Sequence, residues 1–273
     1  MAIRLFYNNS DFDKATLTAS SQAQYLPATN VQNSFRTRVW QTLNTNLYET
    51  LTIDMGKPVS VDACVVFYTN LEELTSPLDG PITLSGNSIN SFVTSPAAPF
   101  TATLQQGTIA DSTSPQQYYS TDFGVSPGSP TYRYWQIKFK KQHAGETITI
   151  GRIFLGQTYD LAALPMYNGV QINLVDNSNK SKGVGLNTYV EVLPQYKEVV
   201  LALQPMANAD IANLDTILYQ IGQSKSIFLQ IDQADPYTEI LYVKVGTTHT
   251  KKTSIVSPTH VYWGVQLSFE EQL

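Results

Sequence analysis

The chain has 273 residues, of which 42% are hydrophobic and only 14% are charged, and its net charge at pH 7 is −5. This composition excludes a charge-rich disordered protein, and the length predicts either one large domain or two domains of ordinary size. The negative charge argues against a nucleic-acid partner, because neutralising phosphates requires clustered Lys and Arg side chains. Frequent short runs of Val, Ile, Thr, Tyr and Phe favour β structure.

The N-terminal residues Met1–Phe6 lack the apolar segment of a secretory signal peptide. No apolar run in the chain approaches the roughly 18 residues that a membrane span needs. We therefore expect a soluble protein, made in a cytoplasm, without membrane insertion. The single cysteine, Cys64, excludes an intramolecular disulfide and a cysteine metal site, and its apolar neighbours predict a small core residue in a strand.

Alternating polarity predicts antiparallel strands in the first half of the chain. In the segment Trp135–Lys140 an apolar side chain occurs at every second position, which is the pattern of a half-buried strand. The preceding stretch, from Asn87 to Pro130, is rich in Pro, Ser and Thr and predicts irregular β structure with long loops. The segment Ile148–Gly156 begins as a buried strand and reaches a turn signal at Gly156.

Residues 157–168 contain polar, aromatic and turn-forming side chains, and a new strand pattern begins at Gly169. This spacing predicts a linker between two β domains. We expect a first domain at residues 1–156 and a second domain at residues 169–273.

One segment of the second half has a helical period. Apolar residues spaced by three or four positions predict a helix over about residues 209–221, with Asn208 or Asp210 as its cap and Gly222 at its C-terminal end. Strict alternation in Leu241–Val245 and in Val261–Phe269 predicts further strands with one solvated face. The helix is expected to pack on this sheet.

The first half contains a set of segments in the order and spacing of discoidin-type, galactose-binding-like proteins: Ser20–Ser21, Tyr25–Val31, Val39–Trp40, Leu51–Gly56, Val59–Phe67, Ile82–Gly86, Arg133–Ile137 and Ile148–Gly156. The chain resembles this family over about residues 17 to 156. The resemblance implies a jelly-roll β-sandwich whose last strand ends at Gly156. Many members of the family bind glycans or lipids through loops at one end of the sandwich, and others are adhesion modules.

The second half has a different resemblance. A polar turn at Ser178–Gly185, paired strands, one helix, the pair Asp235–Pro236 and a final strand ending in Glu270 and Glu271 follow one another. This order resembles the small β-sandwich-plus-helix domains of tailed-bacteriophage tail-tip proteins, especially distal tail proteins. Together the two resemblances imply a mainly all-β fold of two tandem β-sandwich domains, the second with one helix and a role in tail assembly.

The sequence contains no recognisable catalytic constellation. The three histidines, His143, His249 and His260, lie far apart and outside any metal-binding spacing, and no nucleophile elbow or phosphate-binding loop occurs. We therefore expect no catalytic residue, no metal site, no cofactor and no enzymatic activity.

One group is a candidate ligand-binding site: Asn33, Arg36, Arg38 and Trp40. Proteins commonly hold sugars with an aromatic platform and planar hydrogen-bond donors, and this group offers both next to a loop. In the alternative interpretation, Trp40 packs in the core and the two arginines form surface pairs.

These features lead to two functional hypotheses. The first is a non-enzymatic structural or adaptor protein of a tailed-phage virion, located at the tail tip or distal tail. It would assemble with other tail proteins as a symmetric ring of three or six copies, since exposed sheet edges invite partners and a tail is built around an axis. The second is a carbohydrate-binding module that contacts a host cell-surface glycan through the first domain.

Overall fold

The structure is a computed structural model that describes residues 3–71, 81–92, 100–106, 118–122, 129–141, 143, 145–161, 170–182, 188–206, 208–231, 240–257 and 260–272. The chain divides into two compact units. The N-terminal unit contains Arg4–Asp160 together with Ile240, and the C-terminal unit contains Leu161–Ile231 and Leu241–Leu273 together with Ile3. Asp235 and Pro236, which entered the sequence resemblance, lie outside the described residues.

The N-terminal unit contains ten strands in the described ranges: β1 (Arg4–Asn8), β2 (Thr16–Ala19), β3 (Trp40–Gln41), β4 (Tyr48–Ser60), β5 (Ala63–Thr69), β6 (Ile82–Asn87), β7 (Phe100–Gln106), β8 (Tyr118–Asp122), β9 (Thr131–Lys140) and β10 (Thr149–Asp160). Short 3₁₀ helices span Phe12–Lys14 and Ala28–Gln32.

These strands form two antiparallel layers. One layer has the order β2-β4-β9-β6-β7, and the other has the order β1-β10-β5-β8, with β3 paired to β10. The end of β7 also pairs with β8 and so joins the two layers. Inward-facing apolar side chains of both layers form one buried core, in which Trp135, Ile137 and Phe139 of β9 alternate with outward-facing polar residues. The mainly all-β fold class and the half-buried strand at Trp135–Lys140 are therefore confirmed.

The strand that begins at Thr149 runs past Gly156 and ends at Asp160. Its last residues pair with β1, from Arg4 opposite Asp160 to Asn8 opposite Gln157. Gln157 to Asp160 therefore belong to a strand, although their sequence predicts the start of a linker, because the short partner strand β1 lies far away in the sequence. Residues 162–169 lie outside the described residues.

The stretch from Asn87 to Pro130 contains the two short strands β7, which includes the apolar residues Phe100 and Leu104, and β8. Residues 93–99, 107–117 and 123–128 of the expected long loops lie outside the described residues. Cys64 is buried in β5, which confirms its assignment as a core residue.

The C-terminal unit contains β11 (Val170–Asp176), β12 (Asn179–Lys182), β13 (Thr188–Glu191), β14 (Gln195–Met206), β15 (Ser226–Gln230), β16 (Ile240–Ser257, except its first residue), β17 (His260–Glu271) and the helix α1 (Asn208–Ile221). Its main sheet has the order β11-β14-β17-β16-β15, while β12 and β13 form a separate two-stranded sheet. The strands predicted at Leu241–Val245 and Val261–Phe269 are confirmed as parts of β16 and β17.

The predicted helix is confirmed and begins at Asn208. Its buried face consists of Ile211, Leu214, Ile217 and Ile221, and the helix packs against β17. Gly222 has a left-handed backbone conformation (φ 56°), and its N–H donates to the Leu218 carbonyl, so it ends the helix as expected. Among the described residues, no helix has the length and apolar character that crossing a membrane requires.

Candidate functional site

A tight turn follows the 3₁₀ helix Ala28–Gln32 at one end of the N-terminal unit. The Asn33 side chain accepts the backbone N–H of Phe35 over 2.9 Å, and the N–H of Arg38 donates to the Phe35 carbonyl over 3.0 Å. An Asn at such a position favours a local turn over a strand or helix. The Asn30 side chain then holds the end of the turn by donating to the Val39 carbonyl over 2.8 Å.

Each arginine of this turn lies over an aromatic ring. The guanidinium carbon of Arg36 is 5.1 Å from the centroid of the Tyr68 ring, and that of Arg38 is 6.0 Å from the centroid of the Phe35 ring. Both distances are within the range of a cation–π interaction. Phe35 is nevertheless 64% exposed, so much of its ring faces solvent. The turn thus presents two cation–aromatic pairs, here called the loop-end cluster.

The backbone beneath the loop-end cluster is closely packed and partly strained. Tyr68 has a positive φ of 57°, which costs free energy in a residue other than glycine and is common at functional sites. A Cβ atom on Gly151 would lie 2.3 Å from the carbonyl oxygen of Arg36, so only glycine lets β10 approach the turn this closely. Ile150 of β10 also pairs with Thr69 of β5, so β10 brings the turn and Tyr68 together.

The structure separates the four residues that the sequence groups together. Arg36 and Arg38 lie in the loop-end cluster, and Asn33 shapes the turn through its side chain. Trp40 is fully buried in the core, and its indole N–H donates to the Ser21 carbonyl over 3.1 Å, so its ring is inaccessible to a ligand. The aromatic rings that lie beside the two arginines are those of Tyr68 and Phe35.

A further aromatic side chain is exposed at this end of the unit. A turn joins Ala23 to Leu26, and both residues bond to the backbone of Gln41 in β3. Tyr25 lies in this turn and is 84% exposed. Tyr25 begins the segment Tyr25–Val31 of the family resemblance, but the sequence does not predict that its side chain is exposed.

A buried ion pair connects the loops around the cluster. Lys141 and Glu49 are both fully buried, with 3.3 Å between Nζ and Oε1. The carboxylate also accepts the hydroxyls of Ser20 (2.5 Å) and Ser21 (2.7 Å). The ammonium group also donates to the carbonyls of Leu43 (3.2 Å) and Glu146 (2.9 Å). One hydrogen-bond network therefore joins three separate connecting segments, at Ser20–Ser21, at Leu43 and at Glu146.

The loop-end cluster combines hydrogen-bond donors with apolar ring faces. Guanidinium groups donate several hydrogen bonds in a fixed plane, and aromatic rings offer an apolar face. Burial raises the pKa of the Cys64 thiol, which keeps it protonated and unreactive. Within the described part of the chain, His, Cys, Asp and Glu side chains form no group of three or more that could hold a metal ion.

No protein-family model and no curated protein matches the sequence. Solved structures do match it. A fucose-binding module from Streptococcus pneumoniae is 12% identical, with 55% of this chain and 95% of the module covered and a TM-score of 0.38. The lectin domain of lectinolysin, solved with Lewis B antigen, is 12% identical, with 55% of this chain and 96% of the domain covered and a TM-score of 0.37. Chitosan-binding module 1 of a chitosanase/glucanase from Paenibacillus sp. IK-5 is 11% identical, with 55% of this chain and 100% of the module covered and a TM-score of 0.40.

Proposed function

We propose that this chain is a non-enzymatic carbohydrate-binding protein that contacts a cell-surface glycan through the loop-end cluster of its N-terminal unit. The observation that carries the proposal is the pairing of two arginines with two aromatic rings, Arg36 with Tyr68 and Arg38 with Phe35, at one end of a β-sandwich.

The chemistry of a sugar fits this arrangement. The C–H face of a pyranose ring is apolar and can stack on the exposed ring of Phe35. Its hydroxyl groups are acceptors for the N–H donors of Arg38, an exposed side chain with a fixed planar donor geometry. Nε and Nη1 of Arg36 are buried, so Arg36 contributes by holding the turn through its contact with the Tyr68 ring. Such recognition needs no catalytic group and no metal.

The cluster is also held in place before a ligand arrives. The Asn33 side chain shapes the turn, Gly151 allows close contact with β10, and the Glu49–Lys141 pair fixes neighbouring loops. A preorganised site loses less conformational entropy when the ligand binds, so weak individual contacts can give measurable affinity.

A glycan array followed by calorimetry tests the proposal. We expect the full chain to bind a restricted set of glycans, and Phe35→Ala and Arg36→Gln each to reduce the affinity about tenfold or more, which corresponds to about 1.4 kcal/mol. Arg133→Gln is the matched control, because Arg133 also lies over a tyrosine ring, that of Tyr134, at 4.9 Å, but outside the turn. An array without hits, or equal losses in the control, would contradict the proposal.

A second candidate function is the self-assembling structural subunit of a phage tail. It is favoured by the hairpin β12–β13, whose eight strand residues are all exposed. In the described residues these strands pair only with each other. An isolated two-stranded hairpin is marginally stable in water, and this one exposes Tyr189 and Val190. Contact with a second copy of the chain would cover these side chains.

The edge of the main sheet offers a complementary surface. Strand β11 is the terminal strand of the sheet, and its apolar residues Ile172 and Leu174 are 52% and 67% exposed. A hairpin of one copy against this edge in the next copy would be a heterologous contact, which closes into a ring when the rotation permits. In this candidate function, three or six copies of the chain form a ring at the tail tip of a virion.

Analytical ultracentrifugation of the full chain tests this candidate. We expect concentration-dependent association that Val190→Lys or Leu174→Lys abolishes, while Tyr219→Lys, a change at an exposed aromatic residue of α1, leaves it intact. A chain that stays monomeric at high concentration, and is present as a single off-axis copy in any particle that contains it, would refute the ring.

A further inference from the structure

A small cavity lies at the end of the N-terminal unit opposite the loop-end cluster. Its volume is about 220 Å³, and its walls come from the end of β1, the end of β4 and the middle of β10. Leu155 and Gly156 form the β10 wall, and the cluster lies near Ile150 of the same strand. Six residues of a strand separate the two places, a distance of roughly 20 Å.

Two strands become irregular where they line the cavity. Strand β1 changes register against β10 between Phe6 and Asn8, and β4 changes register against β9 between Asp54 and Val59. The second irregularity contains Gly56, with φ 73°, and carries Lys57 out of the regular ladder. Bulges of this kind redirect side chains and are frequent beside binding sites.

The β1 and β10 walls are in direct backbone contact. A Cβ atom on Gly156 would lie 2.0 Å from the Asn8 carbonyl oxygen, so glycine is required at this position. The Asn8 side-chain amide donates to Oε1 of Gln157 over 2.9 Å. This packing gives the cavity a fixed polar wall.

The charges at the cavity cancel. Asp11 and Lys57 lie on its rim with 3.0 Å between Oδ1 and Nζ, and the Lys57 side chain is exposed while that of Asp11 is partly exposed. An ionic ligand would meet one partner of its own charge sign, whereas a neutral ligand can bond to both partners. Ser60 adds a hydroxyl, and Pro58 and Val59 add an apolar patch. The lining therefore offers donors, acceptors and a small apolar face to a neutral ligand.

We propose that this cavity binds one neutral monosaccharide unit and is a second carbohydrate site, independent of the loop-end cluster. A sugar ring has many hydroxyl groups that both donate and accept, and an apolar C–H face, which match the lining. The volume is below the 300–1,000 Å³ typical of pockets for drug-sized ligands and suits a single ring. This proposal depends only on the residues that line the cavity, so it holds whether or not the loop-end cluster binds glycans.

Saturation-transfer difference NMR and calorimetry of the full chain test the proposal. The probes are the methyl glycosides of galactose, glucose, mannose, fucose and N-acetylglucosamine. The measurements use a background with Phe35→Ala and Arg36→Gln, which removes the loop-end cluster. In this background we expect at least one glycoside to bind. We expect Lys57→Gln and Asp11→Asn each to lower its affinity at least fivefold.

Two further variants make the test decisive. Lys14→Gln is the matched control for Lys57→Gln, since Lys14 is exposed in the same unit but outside the cavity, and it should leave the affinity unchanged. Ser60→Leu fills the cavity and should abolish binding. Absence of binding by every glycoside in this background, or equal binding by the Ser60→Leu variant, would overturn the proposal. Neither result would affect glycan binding at the loop-end cluster, which is measured in the unmodified chain.

Discussion

The buried pair of Glu49 and Lys141 gives the sharpest test of how the N-terminal unit is held together. The variant Lys141→Met removes the ammonium group and leaves the carboxylate buried with only the two serine hydroxyls as donors. It also takes a donor from the carbonyls of Leu43 and Glu146. Removing one partner of a buried pair costs about 3–5 kcal/mol. The remaining serine bonds favour the lower end, so we expect a loss of about 3 kcal/mol.

Urea unfolding followed by tryptophan fluorescence measures this loss. Trp40 and Trp135 are buried in the N-terminal unit, so a Trp263→Phe background restricts the signal to that unit. The variant Glu49→Gln/Lys141→Met removes both charges while keeping an acceptor for the serines. We expect it to be more stable than Lys141→Met alone, because no uncompensated charge remains. A loss below about 1 kcal/mol in Lys141→Met, with no recovery in the double variant, would refute the reasoning.

Two further predictions concern backbone packing and acid stability. Gly151→Ala should lower the free energy of unfolding in urea by about 1–3 kcal/mol, because the new Cβ atom would meet the Arg36 carbonyl oxygen. The control Gly145→Ala should cost little, because its Cβ atom meets nothing within 4 Å. Equal effects of the two variants would contradict the close-packing argument. The hydrogen bond from Arg133 lowers the pKa of the Asp54 carboxyl. Its stabilisation is therefore present above the unfolded pKa of about 4 and lost as pH falls through the folded value. Asp54→Asn should make acid unfolding between about pH 5 and pH 2 shallower, and an unchanged pH profile would count against the pair.

Local patterns were sufficient to predict the regular elements. The alternation at Trp135–Lys140 and the helical spacing before Gly222 both depend on residues close in sequence, and both are confirmed. Glu49 and Lys141 also had a readable signal. Glu49 shares the inward-facing parity of Leu51, and Lys141 shares that of Phe139. A charged residue at a core position predicts a buried partner, but its identity depends on tertiary packing.

The candidate site could be predicted only in part. Arg36 and Arg38 lie close together in the sequence, so their residue type and spacing were sufficient to predict them as candidates. Tyr68 joins them only because β5 and β10 pair side by side and Gly151 allows close approach. Strand β1 could not be predicted for the same reason, because its partner residues near Asp160 are far away in the sequence.

The two candidate functions involve different units, so one variant can separate them. Replacing residues 179–191 with a short Gly-Ser linker removes the hairpin of the C-terminal unit and leaves the loop-end cluster unchanged. If copies associate through the hairpin, the variant should bind a free glycan with unchanged affinity in calorimetry. It should bind a glycan-coated surface about 100-fold more weakly, because linked sites raise apparent affinity by roughly 10²–10⁴. Surface binding by the variant equal to that of the unmodified chain would show that each copy acts alone.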